Sequence, residues 1–363
     1  MLNLFFFYKV LYFVIVLAIL IFVHELGHFV VARISGVKIL TFSLGFGRKL
    51  LTFKRGETEY AVSAVPLGGY VKMLGESSED EVPEEEAHRA FSNKPPLIKM
   101  VIAFSGPFFN VLFAAFVLFV MLSTGYQVPV SGTKIGKVPE GQPAYSAGLK
   151  EGDTVVAIDG RKVTQWAELQ KAVTDDAALR PLKFEIMRQG KPEVLMITPK
   201  ATEEKSIFGE SLGKTRPLIG VGPGSELHRE SLQKAASMAV VETCGWTGLV
   251  VEGIVKLIKG SISVKNVGGP ISIFQQVGQS VESGRGGFLF MLAFISINLG
   301  VVNLLPIPIL DGSHILFSFF EFVIRRKIPE STVEWSQKVG IGIIICIMVL
   351  AFYNDFMRVF HVW

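Results

Sequence analysis

The chain has 363 residues, half of them hydrophobic and only 19% charged, against about a quarter charged in an ordinary soluble domain. That balance excludes a wholly soluble protein and leaves room for a membrane module with one or two small soluble domains. The net charge of +4 is spread along the sequence without a basic-aromatic stripe, so no nucleic-acid partner is expected. Cys244 and Cys346 lie far apart, the second inside an apolar run; they suggest neither a disulfide framework nor a thiolate metal site and read as buried structural thiols.

Crossing a bilayer takes roughly 20 apolar residues. Four segments meet that need: Leu4 to Ala32, Leu97 to Leu122, Phe288 to Leu310, and Val339 to Tyr353, the last extendable through Phe356 and Met357. The first has only Lys9 as a base and no obvious small-residue cleavage site, so it reads as a retained helix and not a signal peptide. Four crossings place the loops after the first and third spans on one side and Ser123 to Gly287 on the other. Arg33, Lys38, Lys94, Lys99, Arg325, Arg326 and Lys327 crowd the ends of those two loops. The positive-inside rule therefore puts them in the cytoplasm and the long segment outside it. Arg285 and Arg358 run against this bias.

Inside the first span stands His24-Glu25-Leu26-Gly27-His28, an H-E-x-x-H pattern. Residues four apart share a helix face, so both imidazoles can reach one metal ion, with Glu25 one step round beside a metal-bound water. Zinc would lower the pKa of that water to about 7, and Glu25 would take its proton and pass it to the leaving amine. Ionisable groups between Ile21-Phe22-Val23 and Phe29-Val30-Val31 are costly unless they face a protein interior or a cavity. Helical rise puts them about 8–13 Å inside the level of Arg33.

Two histidines leave a zinc site one protein ligand short. Asp311, in Asn303-Leu304-Leu305-Pro306-Ile307-Pro308-Ile309-Leu310-Asp311-Gly312, is the best candidate for the third. The first and third spans run in the same direction with their polar motifs near the cytoplasmic end, so Asp311 falls at the depth of His24 and His28. Pro306 and Pro308 break the helix, as is tolerated where backbone lines a cavity, and Gly312 permits a sharp turn. A helix cap is the alternative for Asp311. Asn303 either polarises the scissile carbonyl and holds the oxyanion or ties two helices together. His314 reads as a supporting or structural residue.

With these residues in view, the chain resembles the site-2 protease family of intramembrane zinc metalloproteases, in its bacterial form. The likeness runs through HELGH at 24–28, FSLGFG at 42–47, PLGGYVKMLGE at 66–76, SGPFFN at 105–110, GGPISI at 268–273 and NLLPIPILDG at 303–312. The family pattern usually has a second glycine after LDG, where this chain has Ser313. The resemblance implies a Zn2+ cofactor, and as substrates single-pass membrane proteins of the anti-sigma-factor type, trimmed first by another protease, with signal-peptide remnants besides. It also implies that Pro107 and Asn110 line the active cavity, helix packing being the alternative.

Glu59 to Pro66 followed by Leu67 to Met73 reads as a β-hairpin with a glycine-containing turn. The family resemblance implies that this sheet dips into the membrane and pairs with an unwound substrate through Gly69, Tyr70 and Val71; the alternative is a plain amphipathic hairpin. Glu76 to Glu86, with seven acidic residues, reads as a solvated linker. Ala147 to Gly160 resembles a PDZ core, with a helix over Trp166 to Val173 and a strand over Leu182 to Met187; such domains capture extended peptides by strand addition. Ser225 to Ile258 reads as helical, and no physical role follows for GGPISI.

The expected architecture is thus a polytopic α-helical protein of the bacterial inner membrane: four transmembrane helices, a membrane-associated β-hairpin and an inserted α+β PDZ-like domain. Residues 1–122 carry the first two spans, 123–225 the periplasmic PDZ-like domain, 226–287 a helical linker and loop, and 288–363 the last two spans. The expected activity is zinc-dependent endopeptidase cleavage within the bilayer, near the cytoplasmic leaflet, by a monomer. The competing reading is a PDZ-bearing membrane adaptor with a structural zinc site. A metal transporter is disfavoured by four spans without an inverted repeat.

Overall fold

A computed structural model describes residues 2–77, 81–175, 179–206 and 210–360. Helix α1 (Leu2–Ile34) contains the first expected span. It closes on Gly36 at φ +69°, where the Gly36 N–H bonds the Arg33 carbonyl and the Val37 N–H bonds that of Ala32. This is the Schellman pattern, which needs a residue free to adopt left-handed backbone.

Strands β1 (Ile39–Arg55) and β2 (Thr58–Met73) follow, paired antiparallel with several register shifts. Thr41 to Leu44 of β1 is flanked on one side by residues 69–72 of β2 and on the other by residues 59–62. The tight turn is at Arg55–Thr58, with Gly56 at φ +65°, and not at Gly68-Gly69, which lie within β2. A glycine there answers a different need. A Cβ on Gly68 would collide with the Phe46 ring, and one on Gly69 would sit 2.8 Å from Glu25 Cγ. Helix α2 (Pro96–Thr124) opens with Pro96 and holds Pro107 in its interior. It crosses α1 where a Cβ on Gly27 would strike the Ser105 carbonyl.

Thr124–Glu230 and Lys259–Asn266 form a separate compact unit. It contains β3 (Tyr126–Pro129), α3 (Pro143–Ser146), β4 (Thr154–Ile158), β5 (Arg161–Lys162), α4 (Trp166–Thr174), β6 (Leu182–Arg188), β7 (Lys191–Ile197), β8 (Lys200–Lys205), β9 (Ser211–Leu218) and β10 (Ser225–His228). Strands β5-β4-β6-β7 make an antiparallel sheet, while β3 pairs with β10 and β8 with β9. Asp159-Gly160 and Gln189-Gly190 turn the chain with positive φ at both positions, the backbone that matches strand twist in two-residue hairpins. The core gathers Val155, Ile158, Leu182, Phe184 and Ile186 beneath Leu169 and Val173 of α4. At its edge Asp153, 2% exposed, accepts two bonds from Arg188 at 2.7 and 2.8 Å and one from the Lys150 N–H at 2.8 Å. Burial raises the cost of ionising this carboxyl, but the guanidinium and the N–H outweigh it and hold its pKa below the usual range.

The remaining elements return to the first unit: α5 (Leu232–Ile258), α6 (Pro270–Glu282), α7 (Gly284–Asn303), α8 (Asp311–Ile324) and α9 (Glu330–Val359). Five helices among the described residues, rather than four, are long and apolar enough to cross a membrane; the addition is α5. The third expected span stops at Asn303 and not at Leu310, because residues 304–310 leave the helix through Pro306 and Pro308 before α8 begins. Cys244 and Cys346 are exposed on their helices, not buried. Their helices have more apolar surface than the protein interior covers.

The GGPISI segment acquires a physical role. Gly269 is the N-cap of α6 and Pro270 its first residue. Asp355 of α9 accepts bonds from the N–H groups of Gly269, Ile271 and Ser272 at 3.0, 2.9 and 3.1 Å, and from the Ser272 hydroxyl. A side chain on Gly269 would fill the space of that carboxylate. The cap is supplied from a distant helix instead of from the sequence just before α6.

Candidate metal centre

The structure brings His24, His28 and Asp311 together, with one ligand atom from each lying within 4.8 Å of the others. Asp311 Oδ2 is 3.0 Å from His24 Nε2 and Oδ1 is 3.3 Å from His28 Nε2, while the two Nε2 atoms stand 3.3 Å apart. His28 Nδ1 is 2.8 Å from the buried Ile102 carbonyl. A carbonyl only accepts, so Nδ1 carries the proton and Nε2 presents its lone pair to the site. His24 Nδ1 lies 3.1 Å from the amide nitrogen of Asn110, whose Oδ1 is buried without a hydrogen-bond partner. A half-turn of that carboxamide places Oδ1 on the Nδ1–H of His24. His24 Nε2 then also offers a lone pair.

Two imidazole lone pairs and a carboxylate facing one another have no reason to converge unless a cation joins them. Asp311 Oδ2 is itself buried and without a hydrogen bond. Room for an ion comes from Gly106 of α2, where a Cβ would lie 2.7 Å from His28 Cε1 and 2.9 Å from His24 Cε1. The donor set, two nitrogens and one oxygen, is that of an open zinc site with a position left for water or substrate.

Local sequence explains how each of the three side chains is held. The histidines share a face of α1, whose polar side chains meet α2 through the glycine contacts at 27 and 106. Asp311 is the first residue of α8, where the helix dipole favours a carboxylate. Just before it Ile309 adopts φ +89°, a conformation that costs a β-branched residue about 1–3 kcal/mol and is sustained only by the surrounding packing. Gly312 works by close approach, since a Cβ there would strike the Leu304 and Leu305 carbonyls. Ser313 is buried and keeps the turn, its N–H and hydroxyl both bonding the Leu310 carbonyl at 2.9 and 2.8 Å.

A cavity of about 260 Å³ opens beside these three side chains, and Glu25, Asn303, Gly69, Tyr70, Val71 and His314 line it. The Asn303 amide nitrogen is 3.3 Å from His24 Nε2. Asn110 is fully buried and does not line the cavity. It stands behind His24, and Ser296 of α7 donates to its carbonyl at 2.7 Å. That placement suits orientation of the imidazole and not contact with a substrate. Ile102, Ile309 and Gly106 also belong to this site; of the three only Gly106, a glycine before a proline inside a span, leaves a visible trace in the sequence.

Residues 12–347 match the sequence profile of peptidase family M50. The chain belongs to that family. A Campylobacter jejuni protein named as a candidate zinc metalloprotease is 38% identical over 348 residues, covering 95% of this chain and 92% of the relative. A Helicobacter pylori protein of the same description is 37% identical, covering 95% and 98%. The regulator of sigma-E protease RseP of Salmonella typhimurium is 31% identical over 444 aligned positions, covering 95% of this chain and 98% of its own length. As a member of family M50 the chain is a metalloendopeptidase of the site-2 type, with zinc as its metal. It is also a multi-pass protein of the inner membrane.

Proposed function

We propose that this peptidase cuts the transmembrane segments of other membrane proteins inside the bilayer, with His24, His28 and Asp311 as zinc ligands. The observation that carries the reading is that these ligands, Glu25 and the edge of β2 meet in one cavity built on helices of membrane-spanning composition. Bound zinc supplies Lewis acidity at the scissile carbonyl and lowers the pKa of water. Glu25 then acts as general base and returns the proton to the leaving nitrogen. The Asn303 amide donates to the oxygen on which charge develops. Residues 69–72 pair with β1 on one side only among the described strands. Their other edge is available to an extended substrate through backbone hydrogen bonds, which a helix must unwind to make.

Topology supports four crossings. The C-terminal parts of α1 and α7 meet at the metal site, since Asn303 touches His24, so the two helices run the same way. Two parallel spans require an odd number of crossings between them; α2 supplies one, and α5 would reverse α7. We read α5 as packing beside α7 without crossing, its Trp246 against Phe290 and Phe294 of α7. The basic loops then face the cytoplasm, with the metal near that leaflet.

The inserted unit is read as a single periplasmic PDZ-like domain. Support comes from a groove of about 1010 Å³ between α4 and residues 217–222, and from an RseP alignment longer than this chain, which leaves the relative with residues that have no counterpart here. Its task would be to screen substrates. The RseP name supports single-pass proteins of the anti-sigma-factor type, with signal-peptide remnants as a second group and a monomer as the working form.

The competing adaptor with a structural zinc is disfavoured because structural sites are closed by four protein ligands, whereas three described residues converge here beside a cavity. Glu25→Gln decides. It should keep its zinc and lose cleavage of a reporter span by about 10²–10⁴-fold; unchanged cleavage defeats the proposal.

A further inference from the structure

Away from the metal, five cations gather round one cavity of about 440 Å³: Lys94 and Lys99 at the start of α2, and Arg325, Arg326 and Lys327 just past the end of α8. Glu321 is its one acidic lining residue, and it is already engaged. Its carboxylate bonds Lys99 Nζ at 3.2 Å and the Ile328 N–H at 3.2 Å. Among the described residues no acidic side chain pairs with Lys94, Arg325, Arg326 or Lys327. The three-residue cationic run is turned into place by Arg325, a non-glycine residue at φ +57°, a conformation disfavoured for L side chains. Ser92 and Asn93 add polar side chains to the rim. Beside it Leu97, Phe322, Val323 and Ile324 are each about half exposed or more.

We infer that this pocket binds the phosphate of an anionic phospholipid, whose acyl chains lie on Leu97 and on residues 322–324. The argument is charge complementarity together with the apolar surface that adjoins it. Four unpaired cations favour a headgroup of net negative charge over a zwitterionic one, whose own ammonium offsets the attraction of its phosphate, while a soluble anion leaves the apolar flank uncovered. Basic pockets between membrane helices on the cytoplasmic side recognise headgroups in this way. The bound lipid joins the start of α2 to the end of α8 and reinforces the Lys99–Glu321 pair. Since α8 begins at the ligand Asp311, lipid composition bears on the helix that carries a metal ligand.

The test uses the full chain in phosphatidylcholine bilayers with and without phosphatidylglycerol. Its readouts are lipids retained in native mass spectrometry and hydrogen exchange over residues 92–99 and 321–328. Wild type should retain phosphatidylglycerol in preference to phosphatidylcholine and gain protection in both segments. Arg325→Gln/Arg326→Gln/Lys327→Gln should lose the preference by about 5-fold per cation removed. Those cations also bear on topology. If the triple variant does not insert, Lys94→Gln leaves them in place and should still lower retention about 5-fold. Equal retention of the two lipids by wild type, undiminished retention by Lys94→Gln, or equal protection by inorganic phosphate in detergent each overturns the inference.

Discussion

Replacing Gly106 by alanine separates metal binding from fold stability. The new Cβ would stand 2.7 Å from His28 Cε1 and 2.9 Å from His24 Cε1, at least half an ångström short of the 3.4 Å at which ordinary contact begins. The crowding falls on both ligands. His28 is tethered to the Ile102 carbonyl and His24 to Asn110, so neither ring can retreat without breaking a buried hydrogen bond. Zinc–nitrogen bonds tolerate displacements of about 0.2 Å, and a misplacement near 1 Å costs about 10²-fold. We expect zinc affinity and cleavage to fall by at least about 10²-fold. An alanine inside a helix is favoured over glycine by about 1 kcal/mol, so α2 itself should not be weakened. Zinc is measured by chelator competition on purified protein, beside cleavage of a reporter span and the melting temperature of the apo-protein. Gly248→Ala, at a glycine with nothing within 4 Å, is the control and should leave zinc affinity unchanged. If Gly106→Ala binds zinc as wild type does, the imidazoles are not held where the reasoning puts them.

Asn110→Ala removes the partner that fixes the His24 ring and should weaken zinc binding about 10–100-fold by the same competition assay, with no change in the substrate concentration needed for half-maximal rate. Asp355→Ala strips three N–H groups of α6 of their acceptor. Hydrogen exchange should report faster opening at the start of α6, equivalent to about 1–2 kcal/mol, with zinc content unchanged. Arg188→Ala leaves Asp153 buried without its cation and should destabilise the inserted unit by about 3 kcal/mol, read by exchange at β4 and β6. The pH dependence has a fixed sign. Because Asp153 titrates lower folded than unfolded, its stabilisation is present above about pH 4 and is lost as pH falls through the folded value. Asp153→Asn should flatten that acid limb.

The convergence of His24, His28 and Asp311 was legible because its grammar is short. A helix brings residues four apart to one face, and a Pro-rich run ending in Asp-Gly announces broken backbone with a carboxylate. What sequence could not separate were the two uses of glycine. Gly68 and Gly69 look like a turn, yet both lie inside β2 because Phe46 and Glu25 need the space a side chain would occupy. Gly312 was expected to turn the chain and instead lets two carbonyls approach. Asp355 went unread for another reason. It lies near the end of a long apolar helix, and its partners at Gly269, Ile271 and Ser272 are more than eighty positions away in sequence. Length and hydropathy likewise leave the number of spans open: α5 has the composition of a crossing helix, and the proposed topology sets against its crossing only the shared direction of α1 and α7.

The proposed ligands are split between α1 and α8, with the whole inserted unit encoded between them. A ribosome making this chain releases the histidine pair early and the aspartate late. Until α8 is made, two imidazoles are a poor trap for zinc, and the strained bend at Ile309 that aims the carboxylate does not exist. On the proposed ligand set, a nascent peptidase among unfinished membrane proteins would therefore be inert during its own synthesis and would need no separate inhibitor for that interval.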